Sequence, residues 1–319
     1  MIRSLVTGGK GFIGSHLVNY LKEHGHWVRS VDIAPESYLK TKEDEFCLVD
    51  LRDFSNALRV TKHIDYVWNL AANMGGIGFI TSVGAEVMHD NVLINTYILE
   101  ASRQNKVKRF LFSSSACVYP TYKQTSPDVE GLKEADAFPA DPDNFYGWEK
   151  LFTEKVCEAY HRDYGMNIRI VRYHNIYGPE GTYKGGREKS PAALCRKVAG
   201  SSNPGTITIW GDGKQTRSYC YIDDCFRGTV MLMESDYDKP LNIGSDRLVT
   251  IDELADIIIR VSGKKITKEY DLSAPQGVRG RNADVTVAKK ILGWKPKISL
   301  EEGLEKTYRW IEHQVKQEK

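Results

Sequence analysis

The stretch RSLVTGGKGFIGSHLVNYLKE, residues 3–23, decides the fold. A short apolar strand runs into a glycine-rich turn, and an amphipathic helix follows directly. The three spaced glycines have separate tasks: Gly8 permits the tight turn, Gly11 lets the backbone approach a pyrophosphate, and Gly14 allows the helix to pack closely on the strand. Because a helix N-terminus binds anions, this order predicts a dinucleotide-binding strand, turn and helix.

Two acidic residues follow at the ends of the next strands. Asp32 lies about 20 residues beyond the turn, where a carboxylate accepts hydrogen bonds from an adenosine ribose and repels a 2′-phosphate. This favours NAD over NADP, although a polar cap of the strand end is the alternative. Asp50 is placed to reach the adenine edge, unless it is a solvated loop acid. The predicted NAD-binding set is Gly8, Gly11, Phe12, Ile13, Gly14, Asp32, Asp50, Leu51, Tyr146 and Lys150.

Strand-like and helical stretches alternate through the first half of the chain. The strands are predicted at Ile2–Val6, Trp27–Asp32, Phe46–Val49, Tyr66–Leu70, Phe110–Ser113 and Ile168–Arg172, with helices such as Gly14–Glu23, Val87–Gln104 and Phe145–Tyr164 between them. Parallel strands need crossover helices, so the pattern predicts an α/β fold with a doubly wound parallel Rossmann sheet. We expect an NAD-binding domain at 1–175, to which later segments could return, and a smaller, mainly substrate-binding region at 176–319.

Composition excludes several classes of protein. The 319 residues carry a net charge of +2 with interleaved signs, which gives no general nucleic-acid footprint. No apolar run approaches the roughly 18 residues that span a bilayer, and the N-terminus lacks a secretory signal, so we expect a cytoplasmic protein. The 6 cysteines lack metal-site spacing, which predicts free thiols and no metal.

A tyrosine and a lysine stand four residues apart in YGWEK. Tyr146 and Lys150 would project from one helix face, and the ammonium would favour the phenolate, making the tyrosine a usable base near neutrality. Such a pair is often only a surface pair. The preceding SSSACVYP makes it informative because Ser115 offers a hydroxyl that can hold a substrate oxygen.

The stretches TGGKGFIG, NLAA, SSSACVYP, YGWEK and RYHNIYGP, in this order, resemble the extended short-chain dehydrogenase/reductase family of nucleotide-sugar enzymes. The resemblance covers essentially the whole chain. AANMGGIGFI, GTYKGGREKSPAA and WGDGKQTRSY are more particular, and resemble members that invert C3 and C5 of GDP-mannose. The resemblance therefore implies an NAD-dependent isomerase that forms GDP-L-galactose, with GDP-L-gulose as the C5-only product, through a 4-keto intermediate.

The resemblance also implies residue roles. Ser115, Tyr146 and Lys150 would form the hydride-transfer set, and Cys117 and Lys189 an acid/base pair on opposite sides of the sugar. A carbonyl at C4 acidifies the protons on C3 and C5, so such a pair can remove and return each proton with inversion. Without the resemblance, Cys117 is an ordinary buried cysteine and Lys189 a solvated lysine.

Further residues are candidates for holding the substrate. The glycine-rich loop at Gly75 and Gly76 suggests close approach of backbone to a ligand, and arginines suit a diphosphate. The predicted substrate-binding set is Gly75, Gly76, Cys117, Asn175, Lys184, Lys189, Arg217 and Arg279, with Arg281 the weakest of the arginines. His174 is either a site residue or a packed histidine.

Alternatives remain open on sequence alone. They are an epimerase of another nucleotide sugar (a GDP-heptose epimerase or a C4-epimerase) and a non-catalytic dinucleotide sensor. A 4,6-dehydratase is disfavoured because Ala116 and Cys117 stand where it needs acids. Asn73 and Tyr183 depart from the resembled pattern, which has Asp and Trp there, and put the exact sugar in doubt. The resemblance also implies a homodimer formed through Val87–Gln104 and Phe145–Tyr164.

Overall fold

The computed structural model of the protein describes residues 1–318 as alternating strands and helices. The strands are β1 (Arg3–Thr7), β2 (Trp27–Asp32), β3 (Glu45–Leu48), β4 (Tyr66–Asn69), β5 (Arg109–Ser115), β6 (Ile168–Tyr173), β7 (Ile176–Tyr177), β8 (Gly205–Trp210), β9 (Thr216–Ser218), β10 (Cys220–Tyr221), β11 (Pro240–Ile243), β12 (Leu248–Thr250), β13 (Ile266–Asp271) and β14 (Gly280–Arg281). The helices are α1 (Phe12–Glu23), α2 (Phe54–Val60), α3 (Ile77–Ser82), α4 (Gly84–Gln104), α5 (Phe145–Tyr164), α6 (Ser190–Gly200), α7 (Ile222–Glu234), α8 (Ile251–Ser262), α9 (Thr286–Leu292) and α10 (Leu300–Gln317).

The central sheet has seven strands in the order β11-β6-β5-β4-β1-β2-β3. Every neighbouring pair is parallel, which confirms the predicted doubly wound Rossmann sheet. Six of the strands are those predicted from the alternating pattern. The seventh, β11, comes from beyond residue 175 and pairs with β6, so a late segment of the chain does return to the sheet.

Alternating side chains of the strands pack into two hydrophobic clusters, one on each face of the sheet. Leu5 of β1 packs with α2 and α4 residues on one face, whereas the next residue, Val6, joins α1 and α7 residues on the other. Both side chains are fully buried. Successive side chains of a strand point to opposite faces of the sheet, and here both are apolar. This is typical of a parallel sheet that is covered by helices on both faces. No helix among residues 1–318 is both long and apolar enough to cross a membrane.

The region after β6 builds a smaller layer. Helices α6, α8 and α10 pack on one another, beside the parallel pair β8 and β13 and the three-stranded sheet β12-β9-β14. Ile207 and Ile209 of β8 and Leu254 and Ile258 of α8 belong to the same buried cluster as Val6 of the central sheet. The smaller layer therefore shares one hydrophobic core with the sheet.

Candidate active site

Two adjoining cavities lie where the strands β1, β2, β4 and β5 end. The larger has a volume of about 660 Å³ and the smaller about 340 Å³. The residues that line both are Met74, Ser115, Tyr146, Tyr173, Ile176, Lys189 and Pro191. A ligand in the larger cavity would therefore meet a ligand in the smaller one across the predicted catalytic residues.

The glycine turn forms one end of the larger cavity. Gly8 has a φ of +68°, and a Cβ there would lie 2.9 Å from backbone atoms of Ala71. A Cβ on Gly14 would lie 2.0 Å from the Gly8 carbonyl oxygen, so helix and turn touch through bare backbone. Gly11 precedes α1 without a side-chain cap, which leaves the first amides of the helix to an anion. Phe12 and Ile13 line the same wall.

Both predicted acids lie in the part of the larger cavity that is predicted to bind adenosine (the adenosine end). Asp32 accepts hydrogen bonds from the amides of Lys10 at 2.9 Å and Ala34 at 3.0 Å, and its carboxylate lines the cavity. Asp50 also lines the cavity, next to Leu51, but is paired with Arg52 at 2.7 Å. The Arg52 hydrogen bonds hold the pKa of Asp50 below its ordinary value. No sequence pattern pointed to Arg52, because a lone arginine after a strand is common.

The hydride-transfer set meets at the middle of the site. Ser115 ends β5, and Tyr146 and Lys150 stand one turn apart near the start of α5, which Asn144 caps by accepting a hydrogen bond from Gly147 at 2.9 Å. Lys150 Nζ is buried and has no hydrogen-bond partner among residues 1–318. A buried ammonium that lines the larger cavity without such a partner fits a dinucleotide, whose ribose hydroxyls would accept from it.

The surroundings of Tyr146 shift its pKa in the direction opposite to the one expected from a neighbouring ammonium alone. Burial, and then the charges of Glu149 and Cys117, raise the pKa of Tyr146 well above its ordinary value. Lys150 Nζ lies 5.4 Å from the Tyr146 ring centre but only 3.6 Å from a Glu149 carboxylate oxygen. The Lys150 ammonium therefore lies closer to the Glu149 carboxyl group than to the centre of the Tyr146 ring.

Cys117 lies in a helical turn, Ala116–Val118, that follows β5. Its amide donates to Ser115 Oγ at 3.2 Å, and its sulfur accepts from Arg281 Nη1 at 3.3 Å. Arg281 is buried, and although burial opposes it, the charges of Cys117 and Asp143 raise the pKa of the guanidinium. A buried cation therefore touches the Cys117 sulfur.

Lys189 stands just before α6 and lines both cavities. Burial lowers the pKa of its ammonium, and the nearby Cys117 charge opposes that shift. Cys117 lines the smaller cavity as well, so the structure brings the two members of the predicted acid/base pair to one ligand space.

Most of the predicted substrate-binding residues line the smaller cavity. A Cβ on Gly76 would lie 2.5 Å from the Glu188 carbonyl oxygen, so this loop and the segment before α6 are in backbone contact. Asn175 adopts a φ of 42° and donates to the Ser218 carbonyl at 2.9 Å. The predicted residues that line this cavity are Gly75, Gly76, Cys117, Asn175, Lys189 and Arg217, joined by Arg281.

Three candidates lie elsewhere. Lys184 pairs with Glu318 at 2.6 Å, and Arg279 pairs with Asp212 at 2.8 Å, and neither lines either cavity because a local carboxylate holds each of them. His174 is a packed histidine: it is fully buried, its Nε2 bonds to Asn242 at 2.9 Å, and burial lowers its pKa to about 3.

The segment between β7 and α6 supplies a residue that sequence reasoning missed. Arg187 Nη1 donates to Asn73 Oδ1 at 3.0 Å, and its guanidinium lies 3.8 Å from the centre of the Phe79 ring. Asn73 also donates to Glu86 at 3.1 Å. These contacts tie the substrate side of the site to α4, and the charged stretch KGGREK was the only signal for them.

The Rossmann sheet, the glycine turn and the adjoining cavities define an enzyme of the dinucleotide-binding class, and comparison with known proteins agrees. The model of the NAD dependent epimerase/dehydratase family matches residues 4–244. The chain belongs to this family, whose cofactor is NAD.

Individual relatives and solved structures align with 98% to 100% of this chain. GDP-mannose 3,5-epimerase 1 of Oryza sativa subsp. indica is 48% identical over 322 residues, covering 100% of this chain and 84% of that one. UDP-glucose 4-epimerase of Thermotoga maritima with UDP-glucose has a TM-score of 0.90 at 30% identity, covering 98% and 100% of the two chains. UDP-glucuronic acid 4-epimerase of Bacillus cereus, in complex with UDP-glucuronic acid and NAD, has a TM-score of 0.83 at 29% identity, covering 98% and 100%.

Proposed function

We propose that the protein converts GDP-mannose to GDP-L-galactose by inverting C3 and C5, with GDP-L-gulose as the product of inversion at C5 alone. The observation that carries this proposal is the pairing of Cys117 and Lys189 in one cavity, next to Tyr146. A C4-epimerase needs only the hydride-transfer set, whereas inversion at carbons beside C4 needs a further base and acid. The 48% identity to a GDP-mannose 3,5-epimerase supports the same substrate.

The first step creates a carbonyl at C4. Tyr146, as the phenolate, accepts the proton of the C4 hydroxyl while the C4 hydrogen leaves as hydride, and Ser115 holds the C4 oxygen. NAD, when bound, supplies the hydride acceptor and afterwards the donor. Lys150, whose Nζ lies 5.4 Å from the centre of the Tyr146 ring, supplies a positive charge that favours the phenolate, although its ammonium also faces Glu149.

The 4-keto sugar then exchanges its neighbouring protons. Cys117, as thiolate beside Arg281, removes the proton from C3 or C5, and the resulting enolate has its charge on the C4 oxygen near Ser115. Lys189 delivers a proton to the opposite face of the same carbon, which inverts it. When hydride returns to C4 and Tyr146 returns its proton to the C4 oxygen, the product is a secondary alcohol again and the cofactor would be regenerated.

The diphosphate of the substrate would bind two arginines of the smaller cavity, the half-buried Arg217 and the buried Arg281. Arg217 donates to the carbonyls of Thr216 and Val278, and no carboxylate among residues 1–318 lies within ion-pair distance of it. Burial, and then the charge of Arg281, lower the pKa of Arg217 to about 10. Two adjacent guanidinium groups with one partner carboxylate, Asp143, leave net positive charge for an anionic ligand.

Product analysis with a panel of sugars tests the proposal. Purified protein incubated with GDP-mannose should yield GDP-L-galactose and GDP-L-gulose, and GDP-heptose and UDP-sugars should be turned over poorly or not at all. Preferred turnover of a GDP-heptose or a UDP-sugar would replace the substrate while keeping the mechanism. Bound dinucleotide with no turnover of any sugar would favour the sensor.

The homodimer is part of this proposal and is supported by an exposed apolar stripe on α5. Phe145, Trp148 and Phe152 are 58%, 41% and 48% exposed, and their spacing places them along one side of the helix. Pairing of α4 and α5 with the same helices of a second copy would cover them. Sedimentation equilibrium should give a dimer mass, and Trp148→Glu should give a monomer.

We also propose a cytoplasmic location. All 6 cysteines are free thiols, and Cys117 has to remain reduced to act as a base. Fractionation of cells that express the protein should recover it with cytoplasmic markers.

A further inference from the structure

A lysine stands at the adenosine end of the larger cavity, and the mechanism does not use it. Lys10 belongs to the turn between β1 and α1, lines the cavity, and donates its amide to Asp32 Oδ2 at 2.9 Å. Lys10, whose amide binds the Asp32 carboxylate, therefore also carries a positive side chain next to it. An ammonium here could attract the 2′-phosphate of NADP as strongly as Asp32 repels it.

The side chain of Lys10 is anchored on the loop between β2 and β3. Its Nζ lies 2.6 Å from Thr41 Oγ1 and 2.6 Å from Glu43 Oε1, and 4.4 Å from the centre of the Phe46 ring. The Lys10 and Glu43 side chains are only 11% and 8% exposed. Although burial opposes it, hydrogen bonds from Lys10 and Thr41 lower the pKa of Glu43, so the contact is an ion pair.

The ion pair between Lys10 and Glu43 changes the net charge at the adenosine end of the cavity. With Glu43 in place, the Lys10 charge is cancelled and the adenosine end presents the net negative charge of Asp32. A phosphate monoester carries close to two negative charges at neutral pH, so it is repelled there. Without Glu43, the freed ammonium would balance Asp32, and a flexible four-carbon stem would let it reach the phosphate.

We infer that Thr41 and Glu43 determine cofactor specificity by holding Lys10 away from the adenosine ribose, so that the protein selects NAD over NADP. Asp32 alone does not account for the selectivity, since a cation lies beside it. The inference concerns the dinucleotide only and holds whichever sugar the enzyme epimerises.

Equilibrium binding tests this without any sugar. The full chain, stripped of bound dinucleotide, is titrated with NADH and with NADPH while nicotinamide fluorescence is followed. Glu43→Gln should lower the ratio of the NADPH to the NADH dissociation constant at least tenfold. Lys10→Met combined with Glu43→Gln should lose that gain, because the gain depends on the ammonium. Glu45→Gln is the matched control, since it removes an ion pair with Arg29 on the adjoining strand and should leave the ratio unchanged.

An unchanged ratio in Glu43→Gln, with NADH still bound, would overturn the inference. So would an equal loss of affinity for both dinucleotides, which would mean that Glu43 only supports the loop. A gain that persists in the double variant would show that Lys10 is not the group that receives the phosphate. Thermal unfolding of each variant identifies misfolded protein. If Glu43→Gln is misfolded, Thr41→Val is used in its place, because it removes one hydrogen bond of Lys10 Nζ and leaves Glu43 intact.

Discussion

The guanidinium of Arg281 donates a hydrogen bond to the sulfur of Cys117 across 3.3 Å. The two residues come from segments 164 positions apart, and β14 brings the arginine to the turn that follows β5. Arg281 also contacts Gln124 at 2.6 Å and Asp143 at 3.4 Å, so its position is fixed from three sides. The proposed base is therefore held beside a buried cation.

Replacing Arg281 should make Cys117 less reactive. In Arg281→Met the sulfur loses a charged donor worth about 1.5 to 3 kcal/mol, so alkylation by iodoacetamide at neutral pH should slow roughly tenfold or more. Arg281→Lys should restore part of the rate, and alkylation of the distant Cys47 should not change. Peptide mass spectrometry measures both sites, and an unaltered rate at Cys117 would show that the contact is only structural.

Cys117→Ala and Lys189→Met should separate the hydride step from the proton steps. Each removes one member of the acid/base pair, so inversion should slow by roughly 10²- to 10⁴-fold. Tyr146 remains in both variants, so transient NADH formation, seen by its absorbance on adding GDP-mannose, should persist. Tyr146→Phe is the opposite control and should abolish the NADH signal. Full epimerisation by Cys117→Ala would remove this residue from the mechanism.

Two cations of the predicted substrate set should behave differently when removed. Arg217→Met should raise KM roughly ten- to a hundredfold, because a charged hydrogen bond from a guanidinium to a diphosphate is worth about 1.5 to 3 kcal/mol. Lys184→Met should leave KM unchanged, since Lys184 pairs with Glu318 outside both cavities. Steady-state kinetics decide between them, and equal effects would mean that the loop carrying Lys184 rearranges over the substrate.

His174 should make the fold sensitive to acid. Its pKa is lowered to about 3 in the folded protein against an ordinary 6.5, so below pH 6.5 the unfolded chain takes up a proton that the folded protein does not. The stability contributed by neutral His174 is present above that pH and is lost as pH falls, by about 2 kcal/mol between pH 7 and pH 5. Urea unfolding of His174→Asn should show a flatter acid limb by that amount. The exposed His313→Asn should not, and an identical slope in His174→Asn would contradict the assignment.

The sequence was sufficient for the sheet and for the residues that carry local chemistry. Gly11 and Gly14 contact the backbone of Gly8 within the same turn, and Tyr146 and Lys150 are one helical turn apart, so local spacing alone places them. The Arg281 contact with Cys117 and the anchor of Lys10 on Glu43 join distant segments, and no local pattern contains them. The ion pairs of Lys184 and Arg279 were not predictable for the same reason, because their carboxylate partners lie 134 and 67 residues away.

The strongest test of the central claim is proton NMR of the purified enzyme with GDP-mannose in heavy water. The account predicts that deuterium enters at both C3 and C5, as GDP-L-galactose and GDP-L-gulose accumulate, because Cys117 and Lys189 exchange their protons with solvent. Absence of deuterium at both carbons, with NAD bound to the protein, would contradict it.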